Sequence, residues 1–215
     1  MRVVIAGGHG QIALLLTRQL ADAGHEPAGL IRNPDHAADV EQAGGTPIVA
    51  DLEAGVAADL AVAVSGAEAV VFAAGAGPGS GAERKLTVDR DGAIRLAQAA
   101  SIAGVSRYVM ISAMAADSFD PASDDVFQIY LRAKSEADAA LRATGLDWTI
   151  VRPGALVDEA GTGLVTVGES TGRGSVPRAD VATVAAACLT RGLAVGRQFE
   201  LVSGTTPIVD ALTGI

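Results

Sequence analysis

Residues 2–20 read RVVIAGGHGQIALLLTRQL, and this stretch decides the fold. An apolar strand leads directly into Gly7, Gly10 and Ala13 in a G-x-x-G-x-x-A arrangement, and an amphipathic helix follows. In such a turn the first glycine permits a tight bend, the second lets a pyrophosphate approach the backbone, and a small third residue lets the helix pack closely. The helix dipole and its free N–H groups attract the pyrophosphate. The pattern predicts a dinucleotide-binding turn, with an ordinary glycine-rich turn as the alternative.

The alternation of strand and helix continues along the chain. Short runs such as VVIA, AVVFAA and YVMI alternate with Ala/Leu-rich amphipathic stretches, which is the rhythm of a βαβα fold. Strands are predicted at residues 2–6, 26–31, 46–50, 69–74, 107–112, 148–152 and 198–202, and helices at 11–23, 34–43, 56–65, 85–103, 125–144 and 179–191. Continuously apolar strands are typical of a covered parallel sheet. The sequence therefore predicts an α/β fold, a Rossmann-type doubly wound parallel sheet of about seven strands with helices on both faces.

Length and composition narrow the class of protein. The 215 residues suit a single NAD(P)-binding domain over residues 1–215, with a short substrate-side segment at about residues 153–178. A net charge of −9 disfavours nucleic acid and anionic membrane surfaces as partners. The lone Cys188 and three scattered histidines give no metal-ligand spacing. We expect a cytoplasmic protein that acts on a small molecule, as a monomer or small homo-oligomer.

The end of the second predicted strand indicates which dinucleotide fits. An acidic residue there would accept hydrogen bonds from the ribose 2′-hydroxyl of NAD, but the chain reads GLIRNPD and places Arg32 at that point. A guanidinium suits a 2′-phosphate, so NADP(H) is the preferred cofactor, NAD(H) stays possible, and a solvated arginine is the alternative. Past the third strand, Asp51 and Leu52 are placed to meet the adenine. A helix N-cap role for Asp51 is equally open.

A tyrosine and a lysine share one face of a predicted helix. The segment QIYLRAKSEAD places Tyr130 and Lys134 four residues apart, although the chain holds only two tyrosines and two lysines. A phenol can donate a proton to a carbonyl oxygen as hydride arrives, and a nearby ammonium depresses the pKa of that phenol toward operating pH. The alternative is an amphipathic helix with Tyr130 at the core edge and Lys134 in solvent.

Two loop features have two interpretations each. The segment GAGPGSGAE, residues 75–83, lacks the Gly-Lys-Ser/Thr ending of a P-loop and is either a rim of the crevice or a plain surface connection. His9, inside the glycine turn, either leans toward a phosphate or is solvated.

Several motifs together resemble a known family. AGGHGQIA, LIRNP, ADL, FAAG, VDRDGAIRLAQAASIAGVSRYVMISA, YLRAK and GLDWTIVRPGAL are similar to the atypical short-chain dehydrogenase/reductases. Within that superfamily they resemble the small NAD(P)-binding group related to flavin/biliverdin-IXβ reductases and regulator-like proteins. The resemblance covers residues 2 to about 202.

The resemblance implies a Rossmann-type fold, NADP(H) and a Ser-Tyr-Lys catalytic constellation. By this comparison Tyr130 is the acid/base, Lys134 its modulator and Ser112 the third catalytic residue. The implied cofactor contacts are Gly7, Gly10, Gln11 and Ile12 for the pyrophosphate, Arg32 for the 2′-phosphate, Asp51 and Leu52 for the adenine, Ala73, Ala74 and Gly75 after the fourth strand, and Pro153 and Gly154 beside the nicotinamide. Tyr130 and Lys134 are also expected to contact the cofactor, with the Lys134 ammonium able to hydrogen-bond the nicotinamide ribose.

The chain departs from the family at one catalytic position. Related chains commonly end the fifth strand with two adjacent serines, whereas this chain reads MISAM, with Ser112 followed by Ala113. If the second position supplies the hydrogen bond to the substrate carbonyl, that donor is missing. The alternative role for Ser112 is a strand-end residue bonded to backbone.

Two functions from different classes follow. The first is an NADP(H)-dependent oxidoreductase that reduces a small carbonyl, quinone or flavin-like acceptor. The second is a non-catalytic NADP(H)-binding redox sensor that acts through a protein partner, which would explain the altered serine site. The short segment after the sixth strand disfavours a nucleotide-sugar epimerase, which needs a larger lobe to enclose its substrate.

Overall fold

A mostly parallel sheet forms the centre of the molecule. The computed structural model describes residues 1–77 and 79–215. In chain order the strands are β1 (Arg2–Ala6), β2 (Glu26–Ile31), β3 (Thr46–Val49), β4 (Ala69–Phe72), β5 (Arg107–Ile111), β6 (Asp147–Pro153), β7 (Ala155–Val157), β8 (Leu164–Gly168), β9 (Ser175–Pro177), β10 (Arg197–Ser203) and β11 (Thr206–Pro207). The main sheet has the order β11-β8-β10-β6-β5-β4-β1-β2-β3. All neighbours from β3 through to β10 are parallel, which confirms the predicted doubly wound sheet.

The sheet has nine strands, two more than predicted. The additional strands are β8, which runs antiparallel to β10, and β11, which pairs with β8. A separate two-stranded sheet joins β7 to β9. Most of these strands come from the glycine-rich segment 153–178, which therefore folds as small strands beside the carboxyl end of β6.

Helices cover both faces of the sheet. They are α1 (Gln11–Asp22), α2 (Ala37–Gln42), α3 (Ala57–Val64), α4 (Ala82–Arg84), α5 (Ala93–Ile102), α6 (Val126–Arg142), α7 (Arg178–Thr190) and α8 (Ile208–Thr213). One core lies beneath α1, α7 and α8, and the other beneath α3, α5 and α6. Across the described residues, no helix combines the length and the apolar character that crossing a membrane requires.

The helix predicted over residues 85–103 contains an irregular first half. Residues Lys85–Gly92 form a π-helical segment that joins α4 to α5. Such wide turns are rare and occur often at functional sites. Its inward-facing residue Asp89 is almost fully buried against α6, so this segment carries a carboxylate into the interior.

The order of β1 and β4 fixes where a ligand can bind. The chain leaves β1 toward β2 and β3 on one side, and then returns to β4 on the other side of β1. At such a switch point the two connections diverge and leave a crevice outside the carboxyl ends of the strands. The glycine turn Gly7–Gly10 begins directly at this crevice.

A buried arginine joins β5 and β6 to the end of α7. Arg107 donates hydrogen bonds to the carbonyl oxygens of Asp147, Cys188 and Leu193 and to Thr149 Oγ1, at 2.6 to 3.3 Å. Burial lowers the pKa of this guanidinium, yet one of its hydrogen bonds satisfies the Cys188 carbonyl in the last turn of α7 inside the protein. Arg107 thus holds together the half of the sheet that carries Ser112 and Pro153.

We expect Arg107→Met to lower the free energy of unfolding by about 3 kcal/mol, because it leaves several buried carbonyl oxygens without donors. Urea unfolding measures the change. The matched control is Arg191→Met at the exposed end of α7, which should shift stability by no more than about 0.5 kcal/mol. Equal losses in the two variants would contradict the anchoring role.

Candidate functional site

A groove opens at the carboxyl ends of β1, β2, β3 and β4. The predicted cofactor residues that line it are Gly7, Gly10, Arg32, Asp51, Leu52, Ala73, Ala74 and Gly75. The groove also has lining residues that the sequence analysis did not single out, namely Gly8, Leu30, Ile31, Asn33, His36, Ala50, Glu53, Arg84 and Val88. Residues far apart in the sequence therefore meet along one cleft, as the crevice of a doubly wound sheet requires.

Glycine backbone forms the floor of this groove. Gly7 has φ +78°, and a Cβ added to it would lie 2.6 Å from Ala74 Cα. A Cβ on Gly8 would lie 2.7 Å from Gly29 Cα, and the Gly8 N–H donates to the Leu30 carbonyl at 2.9 Å. The turn therefore touches both neighbouring strands through backbone alone. Gly8 is as constrained as the predicted Gly7.

The start of α1 faces this floor with its N–H groups. Gly10 is the N-cap residue, and its N–H donates to the Gly7 carbonyl at 2.7 Å. Among the described side chains, none caps the helix and no acidic residue lies in its first turn. The positive end of the helix dipole is thus uncompensated. Of the other predicted pyrophosphate residues, Gln11 is exposed in that first turn, and Ile12 packs against the core.

Arg32 does not stand alone at the end of β2. Its Nη1 donates to Glu53 Oε2 at 2.9 Å, and Arg84 Nη2 donates to the same oxygen at 2.8 Å. Thr87 Oγ1 donates to Glu53 Oε1 at 2.6 Å. Partial burial raises the pKa of Glu53, but the Thr87 hydrogen bond and the two guanidinium groups outweigh burial and leave it below its usual value. We call Arg32, Glu53 and Arg84 the arginine–glutamate cluster.

The glycine-rich loop connects the end of β4 to Arg84, and both ends of this connection lie at the groove. The loop leaves β4 at Gly75, which lines the groove, and the chain returns to the groove with Arg84 in α4. Within the segment 75–83, Gly75 lines the groove, and Pro78 lies outside the described residues. The choice between a rim of the crevice and a plain surface connection therefore stays a prediction.

The contacts of Asp51 and His9 decide between alternatives that the sequence left open for these residues. Asp51 Oδ1 accepts the Glu53 N–H at 2.8 Å, while Val56 is the N-cap residue of α3, so the N-cap alternative for Asp51 is wrong. His9 is held rather than freely solvated. Its Nε2 lies 2.7 Å from Asp39 Oδ2, and its ring stacks on His36 with centroids 3.7 Å apart.

Tyr130 and Lys134 lie on one face of α6, and the lysine points inward. Lys134 is 3% exposed, and its Nζ lies 3.2 Å from Asp89 Oδ1. The same Nζ lies 5.8 Å from the ring centroid of Tyr130, which is half-buried. The alternative with Lys134 in solvent is therefore wrong. The pair faces the interior beside the π-helical segment.

Asp89 connects this pair to the groove. Its Oδ2 accepts the Ala76 N–H at 3.1 Å, and its Oδ1 lies 3.1 Å from where a Cβ on Gly75 would be. Burial lowers the pKa of Lys134, but Asp89 and Tyr130 together raise it above its usual value, so the ammonium keeps its charge. A buried ion pair thus lies directly behind the last groove residue of the β4 loop.

The pKa of Tyr130 is raised rather than lowered. Burial is the largest cause, and the carboxylates of Asp89 and Asp138 act in the same direction, whereas Lys134 opposes them. The sequence analysis expected the ammonium to dominate, because it could not foresee a carboxylate bound to that ammonium. The phenol therefore holds its proton at neutral pH, as a proton donor must.

Ser112 is bound to a buried carboxylate. Its Oγ donates to Asp138 Oδ2 at 2.8 Å, and Arg152 Nη2 lies 2.8 Å from the same oxygen. Burial raises the pKa of Asp138 despite Arg152 and Ser112. A serine hydroxyl has a single proton to donate, and here that proton is engaged. Ser112 does lie at the end of β5, with its N–H bonded to the Val151 carbonyl at 2.8 Å, but its hydroxyl bonds to a carboxylate and not to backbone.

Pro153 ends β6 and Gly154 follows it, and neither residue belongs to the described lining of the groove. The Met114 N–H donates to the Pro153 carbonyl at 3.0 Å, and the Gly154 N–H donates to the Leu201 carbonyl at 2.9 Å. A side chain on Gly154 would collide with the Gly174 carbonyl oxygen. The two residues fix the small strands after β6, and their place beside a nicotinamide stays a prediction.

The fold and the groove define a nucleotide-binding protein of the Rossmann class. A family model described as NAD(P)H-binding matches residues 7–192, and the chain belongs to this family. The fold and the family agree with the NAD(P)-binding group that the sequence resembles.

Three relatives give the detail. A Bacillus subtilis protein named "Uncharacterized sugar epimerase YhfK" is 38% identical over 99% of both chains. A solved structure from Bacillus halodurans, assigned provisionally by its name to the NAD-dependent epimerase/dehydratases, is 36% identical with a TM-score of 0.91 and covers 100% of both chains. The anaerobillin reductase ChuY of Escherichia coli has a TM-score of 0.79 at 21% identity, covers 94% of this chain and 97% of its own, and shares the fold.

We expect Asp89→Asn to lower the free energy of unfolding by about 3 kcal/mol, because it leaves the Lys134 ammonium buried without a counter-charge. Urea unfolding is the measurement. Asp91→Asn, two residues away, is the matched control, since its partner Arg90 is partly exposed and the pair contributes at most about 1 kcal/mol. The assignment fails if Asp91→Asn costs as much as Asp89→Asn.

Proposed function

We propose that this protein is an NADP(H)-dependent oxidoreductase that reduces a small carbonyl, quinone or flavin-like acceptor. One observation carries the proposal. The Lys134 ammonium lies 5.8 Å from the ring centroid of Tyr130 and 3.2 Å from the Asp89 carboxylate. Asp89 in turn lies against Gly75, which lines the groove. The proposed proton donor is thus linked to the groove through two buried residues.

The groove fits a dinucleotide in its donors and in its shape. Glycine backbone leaves room at Gly7 and Gly8, the uncapped start of α1 attracts a pyrophosphate, and Arg32 offers a guanidinium at the ribose end. We assign the pyrophosphate to Gly7, Gly10 and the first turn of α1, and the adenine to Asp51 and Leu52. The bound cofactor supplies the hydride, and the chain supplies binding and orientation.

Tyr130 is proposed to donate the proton that neutralises the reduced acceptor. The raised pKa keeps the phenol protonated, and Lys134 stabilises the phenolate that forms after transfer. Lys134 is itself held by Asp89, so the ammonium stays in one place throughout. Ser112 completes the proposed constellation only if its hydroxyl turns from Asp138 toward the substrate.

An oxidoreductase fits better than a sugar epimerase, although two relatives carry epimerase names. Between β6 and α7 the chain builds only the short strands β7, β8 and β9. In the described part of that segment there is no lobe to enclose a nucleotide sugar. The crevice stays open, which suits a small or planar acceptor.

Calorimetric titration with NADPH and NADH, followed by turnover assays with quinones, flavins and aldehydes, tests the proposal directly. We expect binding of both nucleotides, tighter for NADPH because of Arg32, and cofactor oxidation with at least one acceptor class. No heat with either nucleotide would refute the proposal, and tighter binding of NADH would refute the cofactor preference.

Tyr130→Phe should lower turnover by at least about 10²-fold, because it removes the proton donor and keeps the ring. Steady-state kinetics with NADPH and the best acceptor measure the loss. Cofactor affinity should stay within about twofold, since the groove floor is unchanged. Tyr108→Phe is the matched control, because it removes the hydroxyl of a tyrosine that is fully buried in β5, and it should keep most of the activity.

The pH profile should follow the raised pKa of Tyr130. Reduction needs the protonated phenol, so its rate should stay level through neutral pH and fall only above about pH 10, the ordinary value for tyrosine. The reverse oxidation needs the phenolate and should rise over the same range. Initial rates in both directions measure this, and a loss of reduction centred near pH 7 would contradict the assignment.

A second function is favoured by the engaged proton of Ser112. With that proton held by Asp138 and alanine at the next position, the serine donor of a Ser-Tyr-Lys site is engaged elsewhere, which is compatible with a non-catalytic NADP(H)-binding redox sensor. Tyr130→Phe separates the two. A sensor keeps both cofactor affinity and its response to a protein partner, whereas an enzyme loses turnover.

A further inference from the structure

We propose that Arg84 is a second ligand of the 2′-phosphate and that Arg84 and Arg32 together set the preference for NADPH over NADH. The inference rests on the proposed function. It assigns a specificity role to a residue from the opposite rim of the groove, at the end of the glycine-rich loop. Arg32 follows β2, whereas Arg84 belongs to α4, so the two approach the ribose end from different sides.

The two guanidinium groups converge on one point. Arg32 Nη1 and Arg84 Nη2 both contact Glu53 Oε2, at 2.9 and 2.8 Å. Both arginines also line the groove. An anion that enters this end of the groove therefore meets N–H groups from two elements at once.

Both side chains keep donors for such an anion. A guanidinium carries five N–H donors, and Glu53 accepts one from each arginine. The side chains of Arg32 and Arg84 are 57% and 40% exposed, so their remaining donors are accessible from the groove. A phosphate presents several acceptor oxygens, which suits the fork of a guanidinium.

Glu53 explains how the two guanidinium groups can lie close together at the groove. Two guanidinium groups this close would repel each other, and the shared carboxylate offsets that repulsion. Thr87 Oγ1 donates a hydrogen bond to the other carboxylate oxygen of Glu53 at 2.6 Å, which fixes the orientation of that carboxylate. The pKa of Glu53 lies below its usual value, so the carboxylate keeps its charge at neutral pH.

The number of charges at this end of the groove explains why loss of Arg84 should weaken binding of a 2′-phosphate. Asp51 and Glu53 both line this end of the groove, so two carboxylates face two guanidinium groups. Without Arg84 the carboxylates outnumber Arg32, and the cluster would repel a phosphate dianion. A ribose with a free 2′-hydroxyl carries no such charge and would be affected little. Loss of Arg84 should therefore act on the 2′-phosphate selectively.

The experiment compares Arg84→Ala with Arg90→Ala by calorimetry, using 2′,5′-ADP and 5′-AMP as probes. Both variants remove one positive charge, but Arg90 pairs with Asp91 and Glu136 away from the groove lining. Arg84→Ala should weaken 2′,5′-ADP by at least about tenfold and 5′-AMP by less than about twofold. Arg90→Ala should change both by less than about twofold.

Arg84→Lys provides a second variant that keeps the charge, and it should restore part of the preference for 2′,5′-ADP. Equal weakening of both probes by Arg84→Ala, or no effect on either, would overturn the role of Arg84. The same titrations with NADPH and NADH on the unchanged protein separate this failure from a failure of the proposed function. If the unchanged protein binds neither nucleotide, both proposals fall. If it prefers NADPH and Arg84→Ala keeps that preference, only this inference falls.

Discussion

The contact of backbone with backbone around β1 is the constraint on which the site depends. Gly7 lies against Ala74 beyond β4, and Gly8 lies against Gly29 of β2, in both cases with no space for a Cβ. Because no side chain fills this junction, the start of α1 remains open toward the strands. The groove is thus a consequence of how closely three neighbouring strands approach at their carboxyl ends.

The positions of the parallel strands were largely predictable from the sequence, because a buried parallel strand consists of a continuous local run of apolar residues. The predictions for β1 and β2 agree with the structure at both ends, and those for the other five parallel strands agree to within two residues at each end. The strands β7, β9 and β11 are only two or three residues long. They form because they pair with strands distant in the sequence, so no local run of apolar residues predicts them. Residues 164–168 do alternate in burial as an antiparallel strand should, but glycines on either side obscured this signal.

The residues of the candidate site likewise fall into a group that the sequence predicts and a group that it does not. Residues that directly follow a strand, such as Gly7, Arg32 and Asp51, were predictable because the fold brings strand ends to one edge of the sheet. The missed residues reach the site from helices, and their places depend on packing. Asp89 is one of 25 acidic residues, and nothing in its neighbourhood distinguishes it before the π-helical segment is known. Arg84 had a faint signal, as a cation just past a glycine-rich loop.

The π-helical segment makes the chain length between β4 and α5 critical. A π-helix bonds each residue to the fifth one along, so the segment holds an extra residue compared with ordinary α-helical winding. Removing one residue there would let the segment wind as an ordinary α-helix and would change which of its side chains face inward. Asp89 would then no longer point at the Lys134 ammonium of α6. The winding of this short segment therefore decides whether the buried ion pair can form.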